Sequence, residues 1–133
     1  MSQTVKAAVI DYDCGNLFSI KHALKHIGVE FYVTDQIDQI DRATHVILPG
    51  VGSFPYAMKS LESKGLIAPI QRAIHSGRPF LGICLGMQLM FEKSSEFGVT
   101  PGLGIIPGEV IRLEEKIIPH VGWSRVSGVN PFE

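Results

Sequence analysis

A chain of 133 residues suits one domain, burying roughly two-thirds of the surface it would expose when unfolded. Lys and Arg total 12 against 13 Asp and Glu, and the formal net charge of -1 comes without any basic cluster, which argues against nucleic acid as a partner. The 45% hydrophobic content includes no apolar run near the roughly 20 residues of a membrane span, and "MSQTVKAAVIDY" lacks the apolar stretch of a signal peptide, so a cytoplasmic chain with no membrane partner is expected.

"VKAAVIDY" (5–12) is a short apolar run suited to a strand covered on both faces, and it ends in the turn-forming "DCGN". Asn16 can cap a helix in which Leu17, Ile20, Leu24 and Ile27 recur at three- and four-residue steps, with Gly28 as its stop. "EFYVT" (30–34) predicts a second strand, "DQIDQIDRAT" a short helix or irregular connection, and "HVILPG" (45–50) a third strand. Residues 53–77 carry two helical stretches broken near Gly65 and closed at Gly77; "RPFLGI" follows as another buried strand, and Met87 to Glu92 as a helix. Strands alternating with helices predict a flavodoxin-like three-layer α/β/α fold, mostly parallel, with right-handed crossovers. Past residue 101 two β-rich segments, "LGIIPGEVIRL" and "KIIPHVGWSRV", joined by the charged "EEK", predict an antiparallel extension, and "SGVNPFE" reads as loop.

Two cysteines, Cys14 and Cys84, are too few and too far apart for a disulfide framework or a C-x-x-C metal site, and no metal is expected. Cys84 lies in "GICLG", where a strand gives way to a helix. This has the form of a nucleophile elbow: Gly82 and Gly86, two positions either side, let strand and helix approach closely around a strained nucleophile. A helix N-terminus beside the sulfur would favour thiolate over thiol. The pattern alone fits equally a small buried hydrophobe, since unpaired cysteines are among the most buried residues. A second motif, "LPGVGSF" (48–54), follows another predicted strand, and in open parallel sheets such loops share one crevice beyond the carboxyl ends of the strands. Acyl transfer to a cysteine needs N–H donors for the oxyanion, and a Gly-Val-Gly loop can supply them. Val51 N–H and Leu85 N–H are the expected pair.

The combination "PGVGSF" with "GICLGMQLMFEKSSE" resembles the class I, triad-type glutamine amidotransferases, and within them the glutaminase subunits serving imidazole-glycerol-phosphate formation, with relatives in sugar amidation. "DYDCGNLFSI" and "IPHVGWSRV" extend the resemblance over almost the whole chain. The resemblance implies one glutamine amidotransferase domain over 1–133, incomplete at its C-terminus, with no cofactor. It makes Cys84 the nucleophile that attacks the side-chain amide of glutamine, Gly50, Val51 and Gly52 the oxyanion strand, and Gln88, Glu96 and Gly52 the substrate contacts. It further implies a heterodimer in which a barrel-type synthase (cyclase) subunit receives ammonia, facing Asp11 to Asn16 and His120 to Trp123. At Asp13 and Cys14 the chain departs from the residues commoner in the family. Read without the resemblance, Gln88 is a helix-surface residue, Glu96 a solvated charge, Trp123 a core residue and His120 a hydrogen-bonded structural histidine.

The family draws its base and orienting acid from a His-x-Glu, and none of the five histidines, His22, His26, His45, His75 and His120, has an acid two positions on. The chain is therefore expected to span about two-thirds of the family domain, leaving a sheet edge and apolar helix faces uncovered. Two other functions fit in outline: a non-catalytic remnant that keeps the partner-binding face, and a cysteine hydrolase or peroxide sensor, against which "PGVGSF" with "CLGMQ" argues. A positioned general base contributes on the order of 10²- to 10⁴-fold. Ammonia release from glutamine by these 133 residues alone should fall short of ordinary turnover by about that factor, and an assay giving ordinary turnover refutes this.

Overall fold

A computed structural model describes residues 4–114 and 116–128. Its centre is a four-stranded parallel sheet in the order β2-β1-β3-β4, from β1 (Lys6–Ile10), β2 (Glu30–Thr34), β3 (His45–Leu48) and β4 (Phe80–Gly82). Alternation along β1 explains its central place. Ala7 and Val9 face one layer, Ala8 and Ile10 the other, and all four are buried.

The first layer holds α1 (Leu17–His26), whose Leu24 is buried against Ala7, Val9 and Ile47, with Leu17 and Ile20 half-buried beside them. The side chain of Asn16 accepts from Ser19 N–H at 3.1 Å, as the capping residue was expected to do. Gly28 closes the helix at φ +72°, and its N–H reaches Lys25 while Val29 N–H reaches Leu24. Ile27, expected on the apolar seam, is exposed. The second layer holds α2 (Ile37–Arg42), α3 (Phe54–Ser63) and α4 (Ile67–His75), which bury Ile40, Phe54, Leu61, Ile70 and Ala73 against Ile10, Val46 and Leu48. Helices therefore cover both faces, as predicted.

Three expectations are corrected. β4 pairs with β3 and, among the described residues, with nothing else, so Leu81 is 54% exposed on an edge strand rather than buried. Helix over Met87 to Glu92 is replaced by a single turn, α5 (Leu85–Gln88), then β5 (Phe91–Ser94). The returning chain docks on this segment: Leu103 N–H takes the Leu89 carbonyl, Ile105 and Ile106 N–H take Met90, and Gly104 N–H takes Phe91. Those bonds tie the backbone after Gln88 to residues distant in sequence, and from Phe91 it pairs with β7 as a strand in place of further helical turns.

The extension is corrected too. It is a three-stranded sheet, β6-β5-β7, with β6 (Thr100–Pro101) antiparallel to β5 but β7 (Ile106–Val110) parallel to it. It begins at Phe91, before residue 101. "KIIPHVGWSRV" forms no strand; its residues are exposed, Trp123 completely. Pro119 has no N–H to give a ladder, and the apolar side chains have no facing layer. Neither Trp123 as core nor His120 as an interior histidine is met. The expected loop "SGVNPFE" lies outside the described residues from 129 onward, as do 1–3 of the opening segment and position 115 of the "EEK" turn.

These burials set a contrast in stability. Leu48→Ala empties a fully buried position and should cost about 2–5 kcal/mol, whereas Trp123→Ala should stay within about 0.5 kcal/mol, both read by urea denaturation. A large loss at Trp123 would contradict its exposure.

Candidate active site

The strand order reverses between β1 and β3, so the crevice of an open sheet lies beyond their carboxyl ends. Three segments meet there: residues 11–16 after β1, 49–53 after β3, and the elbow at 83–86 after β4. Ile83 N–H donates to the Leu48 carbonyl at 3.0 Å, carrying the β3-β4 ladder to the nucleophile position.

Cys84 is exposed, with φ +54° and ψ −117°, a backbone conformation that costs a non-glycine residue on the order of 1–3 kcal/mol. The exposure removes the buried-thiol alternative. Both flanking glycines are required by contact. A Cβ on Gly86 would stand 1.9 Å from the Leu48 carbonyl oxygen, and one on Gly82 would stand 2.8 Å from the Met87 Cα. The helix that follows is one turn long, so the elbow supplies position more than a long helix dipole.

The glycine turn sits on the same rim. A Cβ on Gly50 would lie 2.5 Å from Gly86 N and 2.8 Å from the Leu85 Cβ, so loop and elbow are in direct contact. Gly52 takes φ +115°, open to the turn that glycine permits. Leu85 N–H is the first amide of α5, one of those a helix leaves without an intrahelical acceptor. Val51 N–H, however, does not face the sulfur: it donates to the Cys14 carbonyl at 3.3 Å. The expectation that it is a free oxyanion donor is corrected. Its cause is the packing of the 14–16 turn on the loop, where a Cβ on Gly15 would touch the Pro49 ring at 3.1 Å.

Gln88, Glu96 and Gly52 come together on a cleft of about 590 Å³ closed by Ser94, Phe97 and Arg112. Cys84 does not line this cleft; it stands one helical turn before Gln88, whose N–H reaches the Cys84 carbonyl at 3.2 Å. Glu96 Oε2 accepts from Phe54 N–H at 2.8 Å, tying the cleft to the start of α3 directly after the glycine loop. A carboxylate at a helix N-terminus is favoured by the helix dipole and by the orphan amide.

Two residues escaped the sequence reading. Arg112 adds a cation to the cleft, and its signal was the one cation of the predicted strand segment "LGIIPGEVIRL". Tyr12 is buried under the loop, its hydroxyl donating to the Pro49 carbonyl at 2.6 Å. The signal available was an aromatic set among turn residues. Burial pushes the Tyr12 phenol well above its ordinary range, with smaller pushes from Cys14 and Cys84. Burial likewise raises the Cys14 thiol, helped by Asp13 and opposed by a hydrogen bond with Ser60. Among the described residues no group of three or more His, Cys, Asp and Glu could hold a metal ion, and no helix is long and apolar enough to cross a membrane.

Residues 8–130 match the family of class-I glutamine amidotransferases. The chain is 52% identical over 121 residues to the imidazole glycerol phosphate synthase subunit HisH of Bacillus cytotoxicus, an alignment covering 90% of this chain and 58% of that protein. It is 48% identical over 126 residues to the subunit of the same name from Bacillus cereus, covering 94% of this chain and 60% of that one. The chain thus spans about three-fifths of the length of these curated relatives. A crystal structure of a glutamine amidotransferase superposes with a TM-score of 0.67 at 21% identity, over 79% of this chain and 56% of the other, a likeness of fold.

The two raised groups set a dependence on pH. Each stays neutral in the folded chain where it would ionise once unfolded, so above its ordinary value the unfolded state holds fewer protons and stability falls. Their contribution should be complete below pH 9.0, decline above it as unfolded Cys14 ionises, and fall faster above 10.0 where Tyr12 joins. Urea denaturation in steps of pH reads this, and Cys14→Ser should flatten the first part of the decline. Stability that is level or rising through that range contradicts it.

Proposed function

Because the chain belongs to the class-I glutamine amidotransferases, we propose that it is the glutaminase part of an ammonia-delivering synthase, serving imidazole-glycerol-phosphate formation in histidine biosynthesis. The observation that carries the reading is the exposed, positive-φ Cys84 between two contact-required glycines, at the rim where the Pro49 to Gly52 loop lies. An elbow of that kind holds a nucleophile clear of its own backbone and beside amide donors.

In the proposed reaction the Cys84 thiolate attacks the side-chain amide carbon of glutamine, forming a C–S bond while the carbonyl oxygen takes the charge. Leu85 N–H is the donor nearest to hand, and Val51 N–H can join it once it has left the Cys14 carbonyl. A proton taken up from solvent lets the nitrogen leave as ammonia as the C–N bond breaks; water then adds to the thioester carbon and the C–S bond breaks, giving glutamate and returning the thiolate. The cleft fits the rest of the substrate. Glu96 and Arg112 give it one charge of each sign, matching the α-ammonium and α-carboxylate of an amino acid, and Gln88 offers both a donor and an acceptor.

Ammonia passes, in this reading, to a barrel-type synthase subunit as heterodimer partner. Asp13, Asn16 and His120 to Trp123 are exposed and so available to a second chain. The names of the relatives support a subunit relationship. Titrating the chain with a synthase subunit, with binding read separately from glutamine turnover, tests that part; failure to bind overturns it.

The chemistry is tested with a glutamine-shaped chloroketone, from which the thiolate displaces chloride to leave a carbon–sulfur bond at Cys84. Glu96→Gln should slow this labelling about tenfold while leaving iodoacetamide labelling unchanged, as loss of a charge-assisted contact would. Cys84→Gly should abolish labelling yet leave the chain as stable or more so, by up to about 1 kcal/mol, because glycine accepts the φ of +54°. Labelling at Cys14 in place of Cys84, or a loss of stability in Cys84→Gly, would overturn the assignment.

A further inference from the structure

Tyr12 is a buried side chain of the first crevice segment that reaches across to the second, and it is not a group that the proposed chemistry uses. We propose that Tyr12 is a positioning residue: its hydroxyl pins the Pro49 carbonyl, and through it the glycine loop, against the elbow that carries Cys84. The proposal rests on the amidotransferase reading of Cys84.

Three observations meet here. The hydroxyl bond to Pro49 O is 2.6 Å long, joins residues 37 positions apart, and is fully buried, with Tyr12 itself 1% exposed. The space where a Gly50 Cβ would stand is taken by three neighbours at once: Gly86 N at 2.5 Å, and the Leu85 Cβ and the Tyr12 hydroxyl each at 2.8 Å. The backbone of Tyr12 is held as well: Ser60 Oγ on α3 donates to its carbonyl at 2.5 Å. These contacts form a closed circuit, from the phenol to Pro49, along the loop into α3, and from Ser60 back to Tyr12.

Such a circuit does what a loop of Gly-Val-Gly cannot do for itself. Glycines leave many backbone states open, and an oxyanion donor that wanders loses the advantage of preorganisation. A trans peptide is planar, so fixing the Pro49 carbonyl also fixes the direction of Gly50 N–H on the opposite side of the same bond. Freedom is then confined to the peptides after Gly50. The phenol suits the task because burial keeps it protonated and donating across the whole range in which a thiolate reacts.

The experiment compares two labels on the 133-residue chain: the glutamine-shaped chloroketone, whose carbonyl oxygen needs the donors of the loop and elbow, and iodoacetamide, which needs only the sulfur. Tyr12→Phe keeps the ring and removes one hydrogen bond. It should slow chloroketone labelling of Cys84 tenfold to a hundredfold, the scale of a small misplacement in an active site, with iodoacetamide labelling within twofold of the unchanged chain. Ser60→Ala, which frees the backbone of Tyr12 and keeps its hydroxyl, should slow the same label about threefold. Equal slowing of both labels, no slowing in either variant, or a failure of both variants to fold makes Tyr12 a general structural tie and overturns the proposal. Absence of chloroketone labelling in the unchanged chain overturns the amidotransferase reading instead, so the two failures are distinct.

Discussion

The crevice depends on one close approach: the backbone of Gly86 lies against the carbonyl of Leu48 with no room for a methyl group between them. That contact sets the start of α5 directly on the end of β3, and everything at the site inherits the spacing. Because Leu48 O also accepts from Ile83 N–H, the same carbonyl aligns the strand that delivers Cys84. Gly50 then packs on Gly86 from the next turn of the chain, and Tyr12 closes over Gly50. The approach is steric, so it tolerates no graded substitution, unlike the hydrophobic contacts of the surrounding core, where volume can be exchanged between neighbours.

Strain and support are distributed unequally around this contact. Cys84 holds an unfavourable φ on a short helix, next to an edge strand whose Leu81 is half in solvent. The opposite side is far better anchored: Leu48, Ile10, Phe54 and Leu61 are fully buried, and Pro49 with them. The loop is therefore braced from the β1 and α3 side and presented to the elbow. Such an imbalance suits the proposed chemistry, in which Cys84 must project while the loop stays still.

The parts of this arrangement legible in the sequence are those whose cause is local. Asn16 and Gly28 mark the two ends of α1 through side-chain capping and a positive φ, both properties of single residues. The spacing of Gly82, Cys84 and Gly86 offers the elbow, and only the second glycine motif at 48–54 tips it against a buried thiol. What could not be read is whatever depends on a partner distant in sequence. The helix expected over Met87 to Glu92 gives way where amides from 103 to 106 dock on the carbonyls of Leu89 to Phe91 and Phe91 pairs as a strand, and Val51 N–H is diverted by Cys14, 37 residues earlier. Trp123 misled by composition: a lone tryptophan suggests a core, but nothing among the described residues packs a layer over the segment that carries it. Tyr12, read only as the end of a strand run and as part of a partner-facing segment, declared in sequence neither its burial under the loop nor its acceptor.

Glu96 shows how a site residue can belong to both categories at once. Its proposed role as a substrate contact came from resemblance, and its bond to Phe54 N–H came from the fold. The two uses are compatible because a carboxylate has two oxygens, and the bond to α3 engages one of them. The bond also ends the chain of contacts that starts at Tyr12. The glycine loop is held at Pro49 by a phenol and at Phe54 by a carboxylate, with Gly50, Val51 and Gly52 between the two clamps. A loop fixed at both ends over so short a span can rearrange by turning individual peptides, and it cannot swing away as a whole. In the proposed chemistry, where the charge to be met exists only briefly, that restriction leaves a single peptide rotation as the way for Val51 N–H to leave the Cys14 carbonyl.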